Sequence, residues 1–262
     1  MRPILFSVLI LFLVGAWIFA LTPESVHSSN GRTPILVELF TSEGCSSCPP
    51  ADRFLQKLDA QPVVGAQIIV LSEHVDYWNH IGWKDPYSSH FYSERQNSYA
   101  RHFGLSDVYT PQMVVDGVSE FVGGDPEKAE KAFAKAVGGS KVTVRLSSIV
   151  ADSKQLHAHL EVGPLDATPS SKEREVYVAV ALNRAESQVS GGENSGRKLT
   201  HVAVVRNLAQ VGTLKEQQSF SRDVELKLES GADPQNLRLI AFVQEAHQGR
   251  VLGATSLQVS GK

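Results

Sequence analysis

The sequence holds only two cysteines in 262 residues, Cys45 and Cys48, spaced C-x-x-C. A dithiol at this spacing can open, close and exchange a disulfide. An apolar β-type run, Ile35-Leu36-Val37-Glu38-Leu39-Phe40, leads into the pair. A helical pattern, Ala51-Asp52-Arg53-Phe54-Leu55-Gln56-Lys57-Leu58, leads out of it. Strand, turn, C-x-x-C, helix is the arrangement in which such a pair does redox chemistry. Backbone N–H groups and the positive end of the dipole at a helix start favour thiolate over thiol. The thiolate is the attacking species in disulfide exchange. Cys45 is therefore expected as the exposed nucleophile and Cys48, one turn in, as the buried resolving thiol. Pro49 and Pro50 suit a first helical turn, which needs no N–H donors. Ser46 and Ser47 add hydroxyls near the sulfur. Two other readings stand beside this one. The pair is half of a zinc site completed by histidines, or it is an inert structural staple.

Composition sets the frame. Apolar content of 42% and charged content of 20% describe a globular chain able to bury a core. Net charge is −3 with a pI near 6.3, and no block of like charge occurs, which argues against a nucleic-acid partner. At the N-terminus, Arg2 precedes an apolar run that ends near Leu21. That pattern reads as an export signal, with an uncleaved membrane anchor as the alternative. No cysteine near the end of the run allows a lipoprotein anchor. Export places the cysteine pair where disulfides persist. Residues 22–33 read as a linker.

The elements that would position the cysteines follow in order. Ile68-Ile69-Val70-Leu71-Ser72 is a continuous apolar run, as expected of a parallel strand buried on both faces. Strand, helix, strand of this length suggests a right-handed βαβ unit. Residues 73–107 carry Trp78, Trp83, Tyr87, Phe91, Tyr92 and Tyr99, with a helical pattern over 88–103. These aromatics form either a binding rim near the cysteines or a satellite core. His74, Asp76, His80 and His90 match no metal-ligand spacing. Asp116-Gly117 between two apolar runs marks a hairpin. Asp125 caps an expected helix over 127–137, with Pro126 in its first turn.

Strand, C-x-x-C helix, strand, insertion, Thr110-Pro111, hairpin and helix together resemble the thioredoxin fold over 34–139. In that superfamily the residue before a cis-proline lies beside the cysteines and binds substrate backbone. The resemblance places Thr110 and Pro111 in those positions; Trp78 and Trp83 are further candidate substrate contacts from the aromatic stretch, not from the resemblance. A buried acid in the strand before the motif assists proton transfer, and Glu38 resembles it. Glu38 lies seven residues before Cys45, one more than the family spacing. The stretch from Phe40 through Asp52, His74-Val75-Asp76-Tyr77-Trp78-Asn79, Gly82-Trp83-Lys84-Asp85 and Tyr109-Thr110-Pro111-Gln112 also resemble the motifs of a family of exported bacterial proteins of unknown function.

Beyond Gly138-Gly139-Ser140 the pattern changes to short alternating runs separated by turn residues, which suggests a second domain over 140–262, an antiparallel β-sandwich. Ser190-Gly191-Gly192-Glu193-Asn194-Ser195-Gly196-Arg197 reads as a hairpin loop or as a segment reaching back toward the cysteines. His157 and His159 share one strand face. The expected activity is thiol–disulfide exchange with an external protein or small thiol, because one dithiol cannot relay electrons internally. No cofactor and no metal are expected. The alternative is a binding module in which the disulfide only fixes a loop.

Overall fold

The computed structural model describes residues 31–152, 154–164, 173–215 and 217–259. The expected signal or anchor over 1–21 lies outside them. The described residues pack as one compact unit.

Strand β1 (Thr33–Thr41) is buried almost throughout and pairs in parallel with β2 (Ala66–His74). Between them runs helix α1 (Pro49–Ala60), which starts directly after Cys48. Helix α2 (His90–Phe103) is capped by Ser89, whose side chain accepts from the Phe91 N–H, and ends at left-handed Gly104. β3 (Gln112–Val115) and β4 (Ser119–Val122) form the Asp116-Gly117 hairpin, with φ of 52° and 67° at the turn. β3 runs antiparallel to β1. Asp125 caps α3 (Pro126–Val137) by accepting from the Lys128 N–H.

The strands of the second half are β5 (Val144–Ala151), β6 (Gln155–Val162), β7 (Arg174–Gln188), β8 (Lys198–Leu214), β9 (Phe220–Lys227), β10 (Leu237–Glu245) and β11 (Val251–Gln258). Four of them do not form a separate domain. They continue the first sheet, in the order β11-β10-β7-β8-β2-β1-β3-β4, joined where Ser72 of β2 meets Val204 of β8. Only β5, β6 and β9 make a second, antiparallel sheet, which packs Leu146, Leu156, Leu160 and Val224 onto Val178, Val180 and Leu239.

This corrects the expected architecture. The fold is not a thioredoxin-like α/β domain followed by an independent β-sandwich. It is one eight-stranded mixed sheet shared by both halves, with a small antiparallel sheet over one part. The physical reason lies in what covers β1 and β2. One face, with Ile35, Val37 and Leu39, packs on α1 and α3 through Leu55, Ala51 and Phe133. On the other face Leu36, Ile69 and Leu71 are covered mainly by strands, through Tyr177, Val205, Ile240 and Phe242. The apolar periodicity of those strands reports that they are strands and not which strand lies beside them. β11 returns to the β3 end of the order, where the Val251 N–H donates to Asp116 O at 2.8 Å. There Lys141 Nζ also binds Asp116 Oδ2 (2.6 Å) and Val251 O (2.8 Å).

Candidate functional site

Cys45 and Cys48 form a disulfide in the turn between β1 and α1. Both residues are 0% exposed, while Ser46 and Ser47 between them are exposed. The expected bath of free N–H donors is largely used up. Pro49 and Pro50 have none, and the Ala51 and Asp52 N–H groups donate to Cys48 O at 2.9 and 3.1 Å. The Cys45 N–H donates to Ser42 O. The Ser46 N–H donates to Glu193 Oε2 at 3.0 Å. What remains near the Cys45 sulfur is the Ser47 hydroxyl, 3.3 Å from Sγ, and the helix dipole.

Thr110 and Pro111 stand beside this turn, joined by a cis peptide bond. Trp78 ties them to it. Its indole Nε1 donates to Thr110 Oγ1 at 2.7 Å, and a β-carbon placed on Gly44 would lie 3.0 Å from Trp78 Cβ. Gly123 is wedged between Pro111 and Ala51 of α1. Trp83 Nε1 donates to Glu43 Oε2 at 2.8 Å. Both indoles are half-buried, and Trp78 packs with Tyr77 and Phe103 against a small separate core of Phe40, Val75, Tyr99 and Val114, so this part of the stretch is a satellite core and not an open rim.

Glu38 is placed elsewhere. Strand alternation sends Val37 and Leu39 toward α1 and Glu38 to the opposite face. There its Oε1 accepts from Arg95 Nε and Nη2 at 2.8 and 2.6 Å, and its Oε2 accepts from the Tyr99 hydroxyl. Glu73 lies 3.6 Å from Arg95 Nε. Burial, reinforced by the neighbouring Glu38, pushes the Glu73 carboxyl well above the usual range despite Arg95. The residue expected to shuttle protons is instead part of a buried ion network that knits β1, α2 and β10.

A different polar cluster lies behind the cysteine turn, and the sequence reading did not assemble it. His201 of β8 is buried, with Nε2 3.2 Å from Glu43 Oε1 and Nδ1 3.7 Å from Asp52 Oδ2. Burial opposes its charge, yet Asp52 and Glu43 outweigh that and raise the imidazolium to about 10. His74 stands edge-on to His201, ring centroids 4.7 Å apart, and its Nδ1 meets Asp85 Oδ2 at 2.7 Å. Burial would raise Asp85, but the His74 charge and hydrogen bond, with the Glu43 and Tyr87 N–H groups, lower it to about 2. Leu199 and His201 are buried and alternate with half-buried Thr200 and Val202, so one signal for an inward His201 is present in the sequence.

The polar segment 190–197 joins β7 to β8 and reaches the cysteines. The Asn194 side chain is fully buried, and its Nδ2 donates to Glu43 O at 2.8 Å and Cys45 O at 2.9 Å. Gly191 is needed there, because a β-carbon would sit 2.2 Å from Gly82 O.

His74, Asp76, His80 and His90 do not converge. His74 turns to Asp85, His80 Nδ1 lies 2.7 Å from Tyr77 O, and His90 faces Asp76 at 3.3 Å on the surface. Among the described residues no group of three His, Cys, Asp or Glu side chains could hold a metal ion. His157 and His159 face Glu225 and Asp223 across the second sheet. A cavity of about 470 Å³ bordered by Arg206, Lys227 and Glu229 shares no lining residue with the cysteine turn. No helix of the described residues is long and apolar enough to cross a membrane.

Fold and site together define a mixed-sheet protein with a buried Cys-x-x-Cys disulfide that residues from both halves of the chain enclose. The chain belongs to the family of proteins of unknown function DUF1223, whose match spans residues 36–244. Among solved structures it is similar to a structural-genomics protein from Agrobacterium tumefaciens, at 28% identity and a TM-score of 0.68, covering 87% of this chain and 96% of that one. It is also similar to HBP35 of Porphyromonas gingivalis, at 16% identity and a TM-score of 0.65, covering 87% and 76%. The latter likeness concerns the fold alone. No curated protein matches the chain.

Proposed function

We propose that this protein is an exported thiol–disulfide oxidoreductase that exchanges its single Cys45–Cys48 disulfide with a thiol- or disulfide-bearing partner. The observation that carries the reading is the pair's position: it closes the turn at the start of α1, and Trp78 links that turn to Thr110. Cys45, preceding the helix, is the sulfur attacked. Cys48, the N-cap residue of α1, is the leaving and resolving sulfur. Thr110 and Pro111, with Trp78, bracket the face where a partner backbone would lie, the role that relatedness to the thioredoxin-like superfamily would give them. Export is supported by Arg2 and the apolar run to Leu21, and by the disulfide itself.

One observation favours a second reading, that of a binding module in which the disulfide only fixes the turn. Both cysteines are inaccessible, and Asn194 and Glu193 bind the turn between them. Under the redox reading the loops around the turn must open before a thiolate reaches Cys45. The reduction potential of the pair separates the two. Active exchangers lie at roughly −120 to −270 mV and inert structural disulfides below about −300 mV.

A further inference from the structure

This inference rests on the redox reading and names the side chains that would move its proton. Asp52 follows Cys48 by four residues, and its N–H donates to Cys48 O. Helical spacing therefore puts the two side chains on one face, and both are buried. Thr41 Oγ1 donates to Asp52 Oδ1 at 2.9 Å, and the other oxygen, Oδ2, faces His201 Nδ1 at 3.7 Å. That Nδ1 has no hydrogen-bond partner among the described residues, although His201 is only 1% exposed. Its other nitrogen is held by Glu43, and His74 and Tyr87 close the ring's remaining sides. Toward solvent, Asp52 and His201 line a notch of about 180 Å³ with Pro49, Arg53, Gln56 and Lys198. The same two buried residues thus line the notch, and Asp52 shares a helix face with the resolving cysteine. Glu38 sits on the opposite face, committed to Arg95 and Tyr99.

We propose that Asp52 and His201 form the proton relay of the dithiol, carrying a proton between Cys48 and the solvent notch. When a thiolate of a partner dithiol attacks Cys45 Sγ, a partner–Cys45 disulfide forms and the Cys45–Cys48 bond breaks. Cys48 leaves as thiolate and takes a proton from His201 through Asp52, and the notch supplies a replacement proton. The partner's second thiolate then attacks the partner sulfur of the mixed disulfide and expels Cys45 as thiolate. The partner has lost two electrons and gained a disulfide, and the cysteine pair has gained both electrons. In reverse, the Cys48 thiol gives its proton to Asp52 as its sulfur attacks Cys45 Sγ of the mixed disulfide. Asp52 and Glu43 hold the imidazole charged at neutral pH against its burial, so a proton is stored where Cys48 needs it.

The test mixes the reduced full chain with oxidised glutathione, acid-quenches, and follows the Cys45–glutathione adduct by mass between pH 5.5 and 9. Positioned general acid–base groups contribute 10²- to 10⁴-fold. Asp52→Asn is therefore expected to slow resolution about 100-fold at pH 6. Its rate should climb about tenfold per pH unit, where the wild type is nearly flat, while adduct formation changes less than about threefold. His201→Gln gives the same pattern more weakly, carries the test if Asp52→Asn does not fold, and Asp52→Glu restores the flat profile. Folded variants that resolve at the wild-type rate and pH dependence overturn the relay and leave the redox reading standing. A wild type that forms neither the adduct nor the Cys45–Cys48 disulfide overturns the redox reading and the relay with it.

Discussion

Replacing Arg95 by methionine strands a carboxylate in the centre of the fold. Arg95, Glu38 and Glu73 have side chains 3%, 0% and 0% exposed. The guanidinium donates to Glu38 at 2.6 and 2.8 Å and to Gln244 at 3.1 Å, and lies 5.3, 5.5 and 5.7 Å from the rings of Tyr99, Tyr177 and Phe242. Removing one partner of a buried ion pair costs about 3–5 kcal/mol, because the other charge is left uncompensated. Glu73 does not double that figure, since burial already pushes its carboxyl toward the neutral form. For a chain of this size each kcal/mol moves the melting temperature by about 2–4 °C, so the loss corresponds to about 6–20 °C. Urea unfolding at pH 7 measures it, and the double variant Glu38→Gln, Arg95→Met should recover most of it. A loss under about 1 kcal/mol would refute the reasoning.

Other consequences are as direct. Cys48→Ala should accumulate mixed disulfides with partner proteins in cells and Cys45→Ala should not; equal trapping by both contradicts the assigned roles. His201 titrates near 10 when folded against about 6.5 unfolded, so its contribution, at most about 5 kcal/mol, is complete below pH 6.5 and is lost as pH rises through 10. The stability gap between wild type and His201→Gln should therefore narrow from pH 6.5 to 10, and a constant gap would contradict the charge assignment. Asn194→Ala leaves the buried carbonyls of Glu43 and Cys45 without their donor, a cost of about 1–3 kcal/mol. It should also speed reduction of the disulfide by dithiothreitol; an unchanged rate would show that residues 190–197 do not guard it.

The local elements around the cysteines are legible in the sequence because their signals are local. Continuous apolar residues mark β1 and β2, Asp125 and Pro126 mark the start of α3, and Asp116-Gly117 marks the hairpin. What the chain does not announce is pairing between distant segments. Ser72 and Val204 join the halves into one sheet across 132 residues of sequence. Alternation makes both β2 and β8 strands without naming the other as neighbour. The candidate site suffers the same way. Cys45, Cys48, Thr110 and Trp78 come from motifs, whereas Asn194 reaches Cys45 across 149 residues and His201 reaches Glu43 across 158. Glu38 shows the opposite failure. It has the residue type wanted for proton transfer, but alternation against Val37 and Leu39 turns it to the face where Arg95 holds it.

The reduction potential of the Cys45–Cys48 pair tests the central claim most directly, by equilibrating the protein in glutathione buffers and counting free thiols. An oxidoreductase predicts a value between roughly −120 and −270 mV. A value below about −300 mV would contradict it and leave the disulfide as the brace of a binding surface.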